Sequence, residues 1–170
     1  MSEYSLDYKD IQEVRVTAFA QAYDILFDPA KYRPESRETA DHSLPYCLAA
    51  AIVDKKITTS SFSQEKLQDP RIFEVIDKIK GKPSIEFEKM FPAKQPSKVV
   101  IKTKDGKEYS EYLEYPKGNP KEPMNMEDLE NKFSGLASPW LSEDKQKKVK
   151  NVIFNCENLT ARDSMKELIV

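Results

Sequence analysis

The ten residues from Arg37 to Tyr46, Arg-Glu-Thr-Ala-Asp-His-Ser-Leu-Pro-Tyr, gather several groups able to do chemistry, including the only histidine of the chain. They lead into an apolar run, Cys47 to Val53, that reads as the heart of a buried helix. A helix N-terminus leaves backbone N–H groups unpaired and carries partial positive charge. Such a place suits a carboxylate or a phosphate. Arg37 and His42 can add charge-assisted hydrogen bonds there, and Ser43 and Tyr46 can add hydroxyls. The plainer reading makes Asp41 and Ser43 helix caps, His42 a surface residue and Tyr46 part of the core.

A second candidate is the loop Tyr115 to Met124, YPKGNPKEPM, where Lys117 and Lys121 can reach an anion; ordinary solvated lysines are the alternative. Gly118 has no partner glycine at phosphate-loop spacing. The basic stretch Lys145 to Lys150 follows Glu143 and Asp144 and reads as a solvated helix face. One His and two Cys leave little for a metal centre, and none is expected. Cys47 falls inside the apolar helix and is not expected to be a reactive thiolate. No Ser-His-Asp arrangement stands out, so the chain carries no self-contained active site that its letters reveal.

The elements that must hold these groups follow from periodicity. The first ten residues are polar and read as frayed, and Ile11 to Ala18 reads as a strand with Val14 and Val16 on one face. Asp41 to Lys55 reads as one helix with Pro45 in its first turn. On a helical wheel Leu44, Cys47, Leu48, Ala51 and Ile52 form the main apolar stripe, and Tyr46, Ala49, Ala50 and Val53 lie on the other side. Thr58 to Ser63 reads as a polar linker, Arg71 to Lys80 as a helix stopped by Gly81 and Pro83, and Ser84 to Glu88 as a strand. Asp105-Gly106 marks a hairpin between Val99–Thr103 and Glu108–Leu113, with either a two-residue or a longer bulged turn. Asn125, Ser142 and Thr160 read as caps of three C-terminal helices, with Val149, Val152, Ile153 and Cys156 inward on the second. The expected class is α+β, a small, mostly antiparallel sheet layered with helices and followed by C-terminal helices, divided into residues 1–124 and 125–170.

The 170 residues carry a formal net charge of −2, which leaves no charge excess for a nucleic-acid binder driven by phosphate contacts. No apolar run approaches the length of a membrane span, and the polar start is no signal peptide, so a cytoplasmic location is expected.

The stretch DPAKYRPESRETADHSLPYCLAAAIVDKKIT resembles the MmgE/PrpD family, which includes 2-methylcitrate dehydratase, cis-aconitate decarboxylase and iminodisuccinate epimerase. The resemblance continues through DPRIFEVIDKIK, MFP, TKDGKEYSEYLEYPKGNPKEPMNMEDLENKF and the closing helices, about Ile11 to Val170. It implies an α+β lid domain followed by helices that return to a large helical domain; the chain resembles only the lid and those helices. It also implies an active site between the two domains that needs no metal or organic cofactor, with most Asp, His and Lys acid–base groups on the helical domain. The HS-x-x-Y element falls on His42, Ser43 and Tyr46, which implies an active-site role for Tyr46 with His42 and Ser43 as local supports; with the residue-level candidates above, the expected site has Tyr46 and His42 as catalytic residues and Ser43, Arg37 and Lys117 as substrate contacts.

The leading expectation is the lid of a 2-methylcitrate dehydratase-like hydro-lyase acting on a small tricarboxylic acid, a split-gene subunit or fragment that is inactive alone. A decarboxylase or epimerase lid is one alternative, and a non-catalytic binding or regulatory module is another. The expected partners are a small carboxylic acid and a helical MmgE/PrpD domain, with a homodimer also open. The lid reading predicts an unpartnered apolar face on the C-terminal helices, and the stand-alone module predicts none.

Overall fold

The structure, a computed structural model, describes residues 6–169. The first five residues, part of the start read as frayed, lie outside it. Residues 6–10 are ordered into structure: Leu6 is buried, and Tyr8–Asp10 form a short 3-10 turn capped by the Asp7 carboxylate on Lys9 N at 2.8 Å. Packing divides the chain into two compact units, residues 1–122 and 123–170.

The first unit is built on a four-stranded sheet in the order β2-β1-β3-β4. β1 (Ile11–Ala18) pairs parallel with β2 (Ile79–Pro83) and antiparallel with β3 (Ser97–Thr103), which pairs antiparallel with β4 (Glu108–Leu113). The class is α+β with a mostly antiparallel sheet. Alternation sends Val14 and Val16 into the core and Glu13, Arg15 and Thr17 to the other face. α1 (Ala20–Leu26), α2 (Arg37–Asp41), α3 (Leu44–Asp54) and α4 (Pro70–Ile76) follow β1, and the core joins Val14 and Val16 to Tyr46, Ala49 and Ala50 of α3 and to Ile72, Val75 and Ile76 of α4. Each of the valines and isoleucines in this set stabilises the fold by about 1.5–3 kcal/mol on burial. α5 (Ile85–Met90) meets the opposite face, where Phe87 packs on Tyr112 with ring centroids 5.7 Å apart.

Several elements differ from the periodicity reading. The expected helix Asp41 to Lys55 is interrupted, because Pro45 has no N–H to donate to the Asp41 carbonyl and disfavours helical geometry at Leu44. α2 therefore stops at Asp41, and Ser43, extended at φ −104° and ψ 111°, caps a new helix by accepting from Tyr46 N. The expected helix Arg71 to Lys80 ends at Ile76, and Ile79 is buried as the first residue of β2. Ser84 to Glu88 is helical and not a strand: Ser84 Oγ accepts from Phe87 N at 3.3 Å, and that cap overrides the Ile85/Phe87 alternation, leaving Ile85 78% exposed. The hairpin takes the longer turn, with Gly106 N donating to Thr103 O and Gly106 at φ +86°, where a residue without Cβ is unstrained.

The second unit holds α6 (Met126–Ala137), α7 (Glu143–Phe154) and α8 (Ala161–Leu168), capped by Asn125, Ser142 and Thr160 as the sequence predicts. Asn125 and Asp128 form a reciprocal capping box, at 2.8 and 2.9 Å. Of the residues expected inward on α7, Val152 is buried, whereas Ile153 and Cys156 are exposed. Among the described residues no helix is long and apolar enough to cross a membrane.

Candidate functional site

The α2–α3 corner brings Arg37, His42, Ser43 and Tyr46 into one segment, while Lys117 lies on the loop after β4. Ser43 is almost fully buried, and its hydroxyl does two things. It donates to Lys31 O at 2.5 Å and accepts from Tyr46 N at 3.0 Å, so it caps α3 and fastens the preceding loop to it.

Tyr46 is placed differently from the wheel reading. On the side of α3 opposite the expected stripe, Tyr46, Ala49 and Ala50 are fully buried and Val53 is half-buried; of the expected main stripe Ile52 is buried, whereas Leu44, Cys47, Leu48 and Ala51 are only half-buried. The reason is that α4 and the sheet cover the small-residue side, where alanines permit close approach. The Tyr46 hydroxyl donates to Ser61 O at 2.8 Å, and its ring lies 6.0 Å from that of Phe62. Burial pushes the phenol up to about 12. At neutral pH it is a committed hydrogen-bond donor and not a base.

His42 is the exposed member of the element. Its Nδ1 lies 3.0 Å from Glu38 O and 2.6 Å from Asp41 Oδ1. The Glu38 carbonyl first, and then the Asp41 carboxylate, raise its pKa above the ordinary 6.5, because both favour the protonated ring. The corner thus offers solvent the guanidinium of Arg37 and an imidazole biased toward its cation. Cys47 points its thiol at Ala40 O at 3.6 Å, and burial raises it to about 11, consistent with an unreactive thiol.

Lys117 and Lys121 are exposed on a loop folded by Asn119 N donating to Pro116 O at 3.0 Å and Gly118 N donating to Glu122 O at 2.7 Å. Gly118 sits at φ +96°. Among the described residues no three His, Cys, Asp or Glu side chains gather to hold a metal ion.

Two residues escaped the sequence reading. Lys31 and Ser61 supply the carbonyls that hold Ser43 and Tyr46. The spacing Thr58-x-x-Ser61 was the available signal: Thr58 N donates to Ser61 Oγ at 3.0 Å in a reciprocal cap, so the stretch read as a linker is an ordered turn with Ser61 buried.

The chain is 29% identical to cis-aconitate decarboxylase of Mus musculus over 126 residues, covering 74% of this chain and 26% of that protein. It is 29% identical to the Aspergillus terreus enzyme of the same name over 139 residues, covering 81% and 28%, and 29% identical to the Homo sapiens one over 132 residues, covering 74% and 26%. It spans about a quarter of the length of these curated relatives. Residues 1–158 match the MmgE/PrpD C-terminal domain, and the chain belongs to that family.

Proposed function

We propose that this chain is the lid portion of an MmgE/PrpD-type lyase acting on a small tricarboxylic acid, with an active site completed by a helical MmgE/PrpD domain. The observation that carries the reading is on the second unit. Leu129 and Phe133 of α6 and Val149, Ile153 and Phe154 of α7 line an apolar groove of about 210 Å³, rimmed by the Glu130–Lys150 ion pair at 3.0 Å. Leu136 is 50% exposed and Trp140 83% exposed nearby in sequence. An apolar face of this kind argues against a stand-alone module and for a partner that covers it.

In this reading Arg37 and His42 present positive charge to a substrate carboxylate, and Ser43 sets their position through α3. Lys117 is a further anion contact. Tyr46 holds the α2–α3 corner against Ser61, and it reaches substrate only by giving up that hydrogen bond. The relatives' names favour decarboxylation, in which a carbon–carbon bond breaks, the carboxylate leaves as carbon dioxide and the carbanion left behind takes up a proton. Dehydration of 2-methylcitrate is the second reading. The test is to mix the chain with a helical MmgE/PrpD domain and supply cis-aconitate or 2-methylcitrate. Carbon dioxide release from the first, or water loss from the second, selects the reaction. Turnover of neither acid by an assembled pair overturns the proposal.

A further inference from the structure

The sheet face opposite the core divides into two halves. In one half the cations stand among carboxylates: Lys80 pairs with Glu13 at 2.9 Å, Arg15 pairs with Glu13 at 3.2 Å and with Glu108 at 2.6 Å, and Lys102 stands in register between Glu13 and Glu108. In the other half a single row crosses all four strands, Lys82 on β2, Thr17 on β1, Lys98 on β3 and Tyr112 on β4, fixed by the registers Thr17↔Lys82, Thr17↔Lys98 and Lys98↔Tyr112. Residues in register share a face, so all four side chains stand on the same side. Lys82 and Lys98 have no ion pair among the described residues. They flank Thr17 with their Cα atoms roughly 10 Å apart, two strand spacings.

α5 turns this row into a cleft. Ser84 and Phe87 wall it, the Phe87–Tyr112 ring pair closes one side, and its volume is about 500 Å³. Glu86 is the one carboxylate lining it, so two ammonium groups face one acidic group. Two lysines held apart on a rigid sheet, with hydroxyls of Thr17 and Ser84 between and beside them, match the chemistry of a multivalent anion.

We propose that this cleft binds a small multivalent anion, a phosphate or a polycarboxylate, at a site separate from the α2–α3 corner. The core lies between them: α3 packs on the opposite face of β1. The inference rests on the sheet and not on the lyase reading.

The experiment titrates the full chain with inorganic pyrophosphate, with citrate and with sodium chloride as the ionic-strength control, following backbone amide signals by NMR. Saturable shifts at Thr17, Lys82, Ser84 and Lys98 are expected from pyrophosphate or citrate, and the arm that saturates at lower concentration names the source. The double variant Lys82→Gln, Lys98→Gln, both exposed positions, is expected to weaken binding about tenfold or more. Glu86→Gln is expected to tighten it, because it removes the opposing charge. Shifts that follow sodium chloride equally, shifts confined to Arg37–Tyr46, or affinities unchanged in both variants overturn the proposal. The first and third outcomes leave the lyase reading untouched; the second supports it.

Discussion

The Tyr46 hydroxyl donates to the Ser61 carbonyl at 2.8 Å across a sequence gap of fifteen residues, and it does so inside the core. Ser43, one turn earlier on α3, makes the matching bond to Lys31 O. The two side chains therefore tie both flanking loops to one helix.

Removing either bond has a defined cost. Tyr46→Phe keeps the ring and leaves the Ser61 carbonyl without this donor, so it should lower unfolding free energy by about 1–2 kcal/mol. Ser43→Ala loses the cap and the Lys31 contact together and should cost about 1–3 kcal/mol. Urea denaturation midpoints measure both; an unchanged midpoint for Tyr46→Phe would show that the bond is not part of the folded state.

His42 is the only histidine, so its ring proton signals can be followed by NMR without ambiguity. Its titration midpoint should lie above 6.5, held there by Glu38 O and then Asp41. Asp41→Asn should lower it while leaving the carbonyl's share. Because the folded value is raised, its favourable effect is fully present below pH 6.5 and disappears as pH rises through the folded midpoint.

The two cysteines should separate cleanly in a labelling experiment. Cys156 is exposed, whereas the Cys47 thiol is raised to about 11 by burial. Iodoacetamide at pH 8 should modify Cys156 first, as read by peptide mass mapping, with Cys47 reacting only on unfolding.

Gly81 sits on β2 against the Phe27 ring. A Cβ there would lie 2.5 Å from Phe27 Cδ1, and Phe27 is itself buried. Gly81→Ala should destabilise by about 1–3 kcal/mol, because a packed ring in the core has little room to yield. Thermal unfolding checks it; a neutral result would mean that the ring repacks freely.

Much of this was legible in the residue order. β1, the Asp105-Gly106 hairpin and the caps at Ser43, Asn125, Ser142 and Thr160 each have a local signature that tertiary packing did not overrule. The exchange of helix and strand around residues 77–90 was not legible. Ile79 continues the helical spacing of Ile72 and Ile76, and only pairing with Val14, far away in sequence, makes it a strand. Tyr46 shows the same limit within the site. A helix apolar on both sides does not reveal which side the sheet will cover, so an offered hydroxyl and a buried one look alike on a wheel. His42 and Arg37 were easier, since a polar run before a capped helix stays in solvent.

The position of β1 between β2 and β3 has a consequence for how the chain acquires its structure. β1 is made early, yet its partners begin at Ile79 and Ser97. On a ribosome it stays without a neighbouring strand while more than sixty further residues emerge. The β3–β4 hairpin pairs through a short turn and needs no such delay. Folding of the first unit should therefore be slow for its size, governed by closing the β1–β3 loop, with the hairpin formed first and β1 inserted last.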